Sequence, residues 1–219
     1  MFGKKLPAAV LWDMDGTLVD SEHYWLSSEK SLAAEHQEVW SAQDGLDLVG
    51  MSLYESSKII KQKIGSDLEP EQIIQRLTDS VVAKLAVSIP WRPGAQELLL
   101  ELKKHKIKTA LVTMSMSRMA NQVVDQIPFQ AFDVVVAGDD VVNGKPDPEA
   151  YLRAAELLGV NPADCITFED SLTGLRSAEA AGTIAIGIPN IIPIPQKAGR
   201  IIWPTLEGVR VSDLRKLFR

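Results

Sequence analysis

The chain has 219 residues, of which 46% are hydrophobic and 24% are charged, and this balance excludes disordered, collagen-like and low-complexity proteins. At roughly 150 residues per domain, it has room for one large domain with a small insert. The formal net charge of -6 disfavours nucleic acid and anionic membranes as partners, because both are bound by clustered cations. Cys165 is the single cysteine, so an internal disulfide is excluded, and we expect a reducing, cytoplasmic location.

Two apolar stretches resemble targeting or membrane segments. The first, Leu6 to Trp12, is ended by Asp13 too early for a signal peptide. The second, from Ile184 to Trp203, is interrupted by three prolines and by charged residues, and is not expected to span a membrane. Both observations favour a soluble protein.

Short apolar runs alternate with helical patterns over much of the chain, which is typical of an open parallel sheet covered by helices. The run Val134-Val135-Val136 is apolar throughout, as expected of a strand that is buried on both faces. The fold class that these patterns predict is α/β, with a Rossmann-like parallel sheet flanked by helices. The predicted strands are, approximately, Ala8–Trp12, Lys108–Thr113, Asp133–Ala137, Cys165–Phe168 and Ile184–Ile188.

Three helices between these strands carry start signals. Pro93 is expected at the first helical position of one of them, Asp147 as the N-cap of the next, and Ser171 at the start of the third. Gly159 and Gly182 are expected to end the second and the third.

The segment from Ser21 to Pro90 contains no convincing strand, and its helical patterns lie around Tyr24–Glu35, Leu53–Ile64 and Pro70–Val87. A crossover between two parallel strands needs only about a dozen residues, so this segment predicts an inserted all-helical domain. The predicted organisation is an α/β core domain, residues 1–20 and 91–219, and a helical cap domain, residues 21–90. His23, at the entrance of the insert, has no partner in the pattern and is expected at the surface or at a hinge.

Two carboxylates follow the first predicted strand. Asp13 and Asp15 belong to the run Asp13-Met14-Asp15-Gly16-Thr17, and ligands of open α/β sheets bind at the carboxyl ends of strands. An Asp-Gly turn is the simpler explanation of this run when it is considered alone.

Polar residues also follow the next strands. Thr113 ends one strand and is followed by the backbone N–H of Met114, Lys145 precedes a helix, and Glu169 and Asp170 follow another strand. Helix capping or solvent exposure would explain each of them separately. If the first strand is central, between the second and the fourth, these groups converge with Asp13 and Asp15 at one edge of the sheet. Carboxylates, a lysine and a hydroxyl are the groups that magnesium-assisted phosphoryl transfer requires.

In these motifs the sequence resembles the haloacid dehalogenase superfamily. Asp13 to Thr17 matches its first motif, Thr113 its second, Lys145-Pro146 its third and the pair Glu169-Asp170 its fourth, and the order and spacing agree. The helical insert is similar to the small cap of the subfamily that contains phosphoglycolate phosphatases and β-phosphoglucomutases.

This resemblance implies a Mg²⁺-dependent phosphatase that acts on a small phosphate monoester, a sugar phosphate or a phosphoglycolate-like compound. Asp13 would be the nucleophile that forms an aspartyl phosphate, and Asp15 the general acid and base. The implied metal ligands are the Asp13 carboxylate, the Asp15 main-chain carbonyl and Asp170, with Glu169 bound directly or through water.

The resemblance also implies that Thr113, the N–H of Met114 and Lys145 bind the phosphate oxygens. The expected partner is a small phosphorylated metabolite, not nucleic acid or a membrane. The oligomeric state stays open, and a monomer is compatible with the sequence.

Three alternatives compete with this function. A receiver domain of a signalling relay carries no helical insert, and a metal-free dehalogenase needs neither Asp15 nor Asp170. A phosphomutase of the β-phosphoglucomutase type is the nearest alternative, but such enzymes have basic side chains around a Gly-x-Ser run that bind the second phosphate. Here Val49 and Leu53 occupy the neighbouring positions, and Lys58 and Lys61 are the substitutes that the sequence offers, so we expect a hydrolase.

Overall fold

The computed structural model describes residues 5–218 and contains one six-stranded parallel sheet. The strands are β1 (Ala9–Trp12), β2 (Lys108–Val112), β3 (Val134–Val136), β4 (Cys165–Glu169), β5 (Ile184–Gly187) and β6 (Ile201–Ile202). Their order in the sheet is β3-β2-β1-β4-β5-β6. The first strand is therefore central, as predicted, and Trp12 at its end is in register with Leu111 of β2 and Phe168 of β4.

The α-helices within residues 5–218 are α1 (Glu22–Glu35), α2 (Ala42–Leu48), α3 (Leu53–Lys63), α4 (Pro70–Val87), α5 (Ala95–Lys104), α6 (Ser117–Val124), α7 (Glu149–Leu158), α8 (Leu172–Ala180) and α9 (Val211–Arg215). Single 3-10 turns occur at Gly138–Asp140 and Pro162–Asp164. Within residues 5–218, no helix has both the length and the hydropathy that a membrane span requires.

The core of the sheet explains the apolar runs in the sequence. All four residues of β1 are completely buried, because helices cover the sheet and neighbouring strands flank it. On one face, Ala9 and Leu11 pack in a cluster with Tyr151 and Ala154 of α7 and with Ala178 of α8. Alternate residues of β1 point to the opposite face, which is why a central parallel strand has no polar position. The predicted α/β fold is confirmed.

The chain divides into two compact units. The sheet and helices α5 to α9 make up one unit, which contains the residues up to Asp20 and those from Trp91 onward. The other unit runs from Ser21 to Pro90. Its residues, all of which are described, form the four helices α1 to α4 and no strand.

The helical unit has its own apolar core. Leu32 and Ala33 of α1 pack against Ile60 of α3 and against Ile73 and Leu77 of α4. The helices begin at local signals: the side chains of Ser41 and Ser52 accept hydrogen bonds from backbone N–H groups in the first turns of α2 and α3, at 3.2 Å in both cases.

Several boundaries differ from the prediction. Helix α5 begins after Gly94, whose positive φ of 81° ends the preceding turn, so Pro93 is not the first helical residue. Helix α7 begins at Glu149 after Pro148, but Asp147 still caps this end, because its carboxylate accepts from the Glu149 N–H at 2.9 Å. Ser171 and Gly159 occupy the predicted cap positions.

Candidate active site

The carboxyl end of β1 positions Asp13. Its backbone N–H donates to the carbonyl of Phe168 at 3.0 Å, which continues the pairing between β1 and β4 by one residue. The residue is only 7% exposed. Asp13 is therefore a carboxylate held at a fixed place where the central strand ends.

Lys145 connects three strand ends. Its Nζ donates to Asp13 Oδ1 at 2.7 Å, to Glu169 Oε1 at 2.7 Å and to the carbonyl of Val112 at 2.9 Å. The three N–H donors of a lysine are thus all used, and the ammonium also lies 4.9 Å from the centre of the Tyr151 ring. Considered alone, the position before a helix favoured a solvent-exposed lysine, but the side chain is only 5% exposed and lies beside Asp13, where the combined motifs place it.

Glu169 ends β4 and is 1% exposed. Besides Lys145, its Oε1 accepts from the hydroxyl of Tyr151 at 2.6 Å. Gly174 leaves the space for this carboxylate, since a Cβ at that position would lie 1.9 Å from Glu169 Oε1. The carboxylate is thereby oriented toward Lys145 by a residue from α7.

Asp13, Glu169 and Asp170 form a buried acidic group, and each offers one oxygen within 4.8 Å of the others. When all three are ionised, Lys145 balances one charge and leaves two, the charge of one divalent cation. Asp13 Oδ2 is buried without a hydrogen-bond partner in the described part of the chain. Buried polar atoms normally have a partner, and three carboxylates are the oxygen donors that Mg²⁺ prefers. These residues fit a Mg²⁺ ion.

The pKa values of this cluster have opposing causes. Burial, reinforced by the charge of Glu169, raises the pKa of the Asp13 carboxyl to about 7, while Lys145 acts in the opposite direction. Burial alone would lower the pKa of Lys145, but the charges of Asp13 and Glu169 raise it above its usual range. Burial and the charge of Glu169 also raise the pKa of Tyr151, so its hydroxyl keeps its proton. A bound divalent cation would favour ionised Asp13 further.

Asp15 lies in a separate hydrogen-bonded group. Its Oδ2 accepts from the hydroxyl of Ser115 at 2.7 Å and from that of Thr113 at 3.3 Å. Thr113 Oγ1 in turn accepts from the N–H of Ser115 at 3.0 Å. The side chain of Asp15 is therefore directed toward the end of β2 rather than into the acidic group.

Gly16 brings the turn after β1 close to the acidic group. Its φ is +81°, and a Cβ there would lie 2.0 Å from Asp170 Oδ2. Only glycine combines this backbone conformation with this close approach. The Gly16 of the Asp-x-Asp-Gly-Thr run is thus explained by packing as well as by turn geometry.

The structure brings together Asp13, Lys145, Glu169 and Asp170 directly, and Asp15 with Thr113. Met114 contacts the Lys145 backbone through its sulfur, which accepts from the Lys145 N–H at 3.3 Å. The roles assigned to all of these residues, and to the Met114 N–H and the Asp15 carbonyl, remain predictions.

Sequence reasoning missed two hydroxyl groups of this site, that of Ser115, which binds Asp15, and that of Tyr151, which binds Glu169. Tyr151 carries a polar group on the otherwise apolar face of α7, and this was the available signal.

The fold and site define an α/β protein with a lysine and buried carboxylates where the central parallel strands end. The chain matches the family described as haloacid dehalogenase-like hydrolase over residues 7–182. It therefore belongs to the haloacid dehalogenase-like hydrolases.

Three relatives illustrate this membership. A phosphorylated carbohydrates phosphatase of Thermotoga maritima is 31% identical over 175 residues, which cover 80% of this chain and 81% of the relative. The bifunctional riboflavin kinase/FMN phosphatase of Arabidopsis thaliana is 31% identical over 86% of this chain, which spans only 50% of that protein's length. A β-phosphoglucomutase of Bacillus subtilis is 29% identical over 82% of each chain.

Among solved structures, CbbY from Rhodobacter sphaeroides in complex with phosphate has a TM-score of 0.83. It is 26% identical, and the match covers 93% of this chain and 96% of that one. Family membership and the phosphatase names of relatives confirm the predicted family and the predicted enzyme class, a phosphoric monoester hydrolase.

Replacing Tyr151 with Phe tests the bond that orients Glu169. The change keeps the ring beside Lys145 and removes only the donor to Glu169 Oε1. We expect a loss of about 1.5–3 kcal/mol in the free energy of unfolding, the range for hydrogen bonds to charged groups. Urea denaturation of the variant and of the unmodified protein measures this difference in the free energy of unfolding. Tyr24→Phe is the matched control, because its hydroxyl bonds the Ser88 carbonyl at an exposed position. Equal losses in the two variants would show that the Tyr151 bond has no special role.

Proposed function

We propose that the protein is a Mg²⁺-dependent phosphatase that hydrolyses a small phosphate monoester through an aspartyl phosphate on Asp13. The observation that carries this proposal is the buried cluster of three carboxylates, two of which pair with Lys145, while one oxygen of Asp13 has no partner among the described residues. Relatives named as phosphatases of phosphorylated carbohydrates and of FMN support a small soluble substrate.

In the proposed reaction, an oxygen of Asp13 attacks phosphorus and the ester P–O bond breaks. The leaving oxygen keeps the electron pair of the broken bond and takes a proton from the Asp15 carboxyl. The hydroxyls of Ser115 and Thr113 position Asp15 by donating hydrogen bonds to its Oδ2. Water then attacks the phosphorus of the aspartyl phosphate and gives a proton back to Asp15, which releases inorganic phosphate and restores Asp13. Two attacks by strong, positioned nucleophiles replace one difficult displacement.

The remaining residues supply charge and position. Lys145 stabilises ionised Asp13 and would offset the negative charge that develops on the phosphoryl oxygens, together with Thr113 and the N–H of Met114. Mg²⁺, held by Asp13, Asp170 and the Asp15 carbonyl, would supply Lewis-acid stabilisation of the phosphoryl group. Because Glu169 Oε1 already binds Lys145 and Tyr151, we assign Glu169 to positioning the lysine. Its Oε2 accepts from the Ser171 hydroxyl at 3.4 Å and would act on the cation directly or through water.

We further propose that residues 21–90 act as the cap domain that selects the leaving group, and that the enzyme is cytoplasmic. The cap assignment rests on the separate apolar core of residues 21–90 and on their position in the chain, between β1 and β2. The cytoplasmic location rests on the single cysteine, Cys165, which is buried and has no disulfide partner.

Asp13→Asn tests the nucleophile. An amide does not attack phosphorus as a carboxylate does, so we expect phosphate release to fall by at least about 10³-fold, with the fold retained. Phosphate release is measured with a series of small phosphate esters, and circular dichroism of the variant checks that the fold is retained. Asp67→Asn, at an exposed position, is the control and should keep full activity. A residual Asp13→Asn rate above about one tenth of the unmodified rate contradicts the aspartyl-phosphate mechanism.

Metal dependence gives a second test. Removal of Mg²⁺ with a chelator should abolish phosphate release, and added Mg²⁺ should restore it. Ca²⁺ should inhibit, because its preference for longer bonds and more oxygen ligands would draw both Asp13 oxygens onto the metal. Full activity in excess chelator would contradict the metal assignment and favour a metal-free dehalogenase-like reaction.

A phosphomutase is the second candidate, and the similarity to a β-phosphoglucomutase is the observation that favours it. Against it, Lys58 pairs with Glu55 at 3.0 Å and Lys61 with Glu69 at 3.1 Å, so both lysines near the Gly50–Ser52 run already have carboxylate partners. A second phosphate would have to compete for them.

The assay that separates the two supplies β-glucose 1-phosphate with a trace of the 1,6-bisphosphate. Free phosphate should form faster than glucose 6-phosphate, because water is expected to reach the aspartyl phosphate before a bound bisphosphate reorients. Sustained isomerisation that is faster than phosphate release would establish the mutase instead.

A further inference from the structure

Lys145 has a buried side chain although it belongs to an exposed loop. The loop comprises residues 141–148, between the turn Gly138–Asp140 and helix α7, and contains no helix or strand. The three residues just before Lys145 are exposed, whereas the lysine side chain is only 5% exposed and reaches Asp13. An irregular, exposed segment has many accessible conformations, so the ammonium stays at the acidic group only if other residues hold the loop in this one.

Glu149, the first residue of α7, binds the loop through both oxygens of its carboxylate. Its Oε1 accepts from the backbone N–H of Val142 at 2.8 Å. Its Oε2 accepts from the backbone N–H of Asn143 at 2.8 Å and from the side-chain amide of Asn143 at 3.0 Å. Within residues 5–218, neither of these backbone N–H groups forms a backbone hydrogen bond, so the carboxylate is the group that satisfies them.

The charge of Glu149 strengthens this contact. Hydrogen bonds to an ionised acceptor are shorter and stronger than those between neutral groups. The bonds from Val142 and Asn143 hold the pKa of the Glu149 carboxyl below its usual range, so the group is ionised at neutral pH. Because one planar carboxylate binds two consecutive N–H groups, it fixes the course of the backbone directly before Gly144 and Lys145.

Other residues hold the loop at Lys145 and after it. The Lys145 N–H donates to Met114 Sδ at 3.3 Å, and sulfur is a weak acceptor. The hydroxyl of Ser177, a completely buried residue of α8, donates to the Asp147 carbonyl at 2.6 Å. The strongest contact with the residues that precede the lysine is therefore the one made by Glu149.

We propose that Glu149 is a positioning residue for Lys145, on which it acts through the loop backbone. The contact with Val142 and Asn143 fixes the point from which the lysine side chain extends toward Asp13. The consequence for catalysis rests on the proposed function, in which Lys145 offsets the negative charge that develops on the phosphoryl oxygens. The simpler explanation is that an acidic residue in the first turn stabilises α7 through the helix dipole.

Chemical labelling of Lys145 tests the contact without any activity. Lysines are acetylated with the N-hydroxysuccinimide ester of acetic acid, and each site is followed by peptide mass spectrometry. Glu149→Gln keeps the length of the side chain but removes the charge and one acceptor oxygen. We expect Lys145 to react at least about fivefold faster in this variant, relative to the exposed Lys58, because the loop opens more often. Glu156→Gln, at an exposed position of the same helix, should leave this ratio unchanged.

A general loss of stability is tested with Val211→Ala, which removes buried methyl groups from α9 and lowers the Tm away from the loop. Lys145 should react at the same relative rate in Val211→Ala as in the unmodified protein. Equal acceleration in Val211→Ala and Glu149→Gln would overturn the proposal. If Glu149→Gln loses its helical circular dichroism signal, Glu149→Asp replaces it, since it keeps the charge at the start of the helix but has a shorter reach.

The effect on catalysis is measured as hydrolysis of p-nitrophenyl phosphate in the presence of Mg²⁺. We expect kcat of Glu149→Gln to fall about tenfold while KM changes less than about threefold, because a misplaced lysine stabilises the transition state less. A role in helix stability alone predicts the unmodified kcat for the folded variant. Glu156→Gln and Val211→Ala should keep that kcat at a temperature below their Tm.

The two measurements fail in different ways. Unchanged acetylation of Lys145 in Glu149→Gln overturns the proposal whatever the kcat, and faster acetylation with an unchanged kcat overturns the positioning role in the reaction. Faster acetylation with a lower kcat supports both. If the unmodified protein hydrolyses no phosphate ester, the proposed function fails, and acetylation still decides whether Glu149 holds Lys145 in place.

Discussion

The Lys145 ammonium is buried against the carboxylates of Asp13 and Glu169, and this contact ties together strand ends that would otherwise repel one another. A buried charge is tolerated only when it is paired and its hydrogen bonds are satisfied. Lys145 meets both conditions, because its third donor reaches the Val112 carbonyl at the end of β2. The same contact leaves excess negative charge at the site, so the arrangement that stabilises the lysine also creates the demand for a cation.

The sheet order places these groups together. With β1 between β2 and β4, the residues that follow three consecutive strands of the sheet lie at one edge, although Thr113 and Glu169 are 56 positions apart in the chain. Different elements orient the two groups of side chains. Glu169 of β4, which Tyr151 of α7 holds in place, orients Lys145. Ser115, which follows β2, orients Asp15. The proposed nucleophile, Asp13, and the proposed proton donor, Asp15, are thus held by different hydrogen-bonded groups. The segment that we propose to select the leaving group, residues 21–90, is a separate compact unit.

Much of this arrangement was predictable from the sequence. Buried parallel strands are mostly apolar, so the acidic residues and Thr113 indicated where β1, β2 and β4 end, and family resemblance connected these residues. Strand β6, of two residues, and helix α2, of seven, were missed because elements so short carry little periodicity. The burial of Lys145 was also beyond local patterns, since a lysine before a helix is usually solvated. The bond between Tyr151 and Glu169 depends on how α7 packs on the sheet, so the polar group of Tyr151 on an apolar helix face was a signal that did not identify its partner.

The most direct test of the account is to trap the covalent intermediate. The enzyme is mixed with a ³²P-labelled phosphate ester and Mg²⁺, quenched in acid within milliseconds, and the labelled peptide is identified by mass spectrometry. The account predicts a base-labile phosphoryl group on Asp13, formed in the first turnover and lost on a chase with unlabelled ester. Label on another residue, or phosphate release with no labelled protein at any quench time, would contradict it.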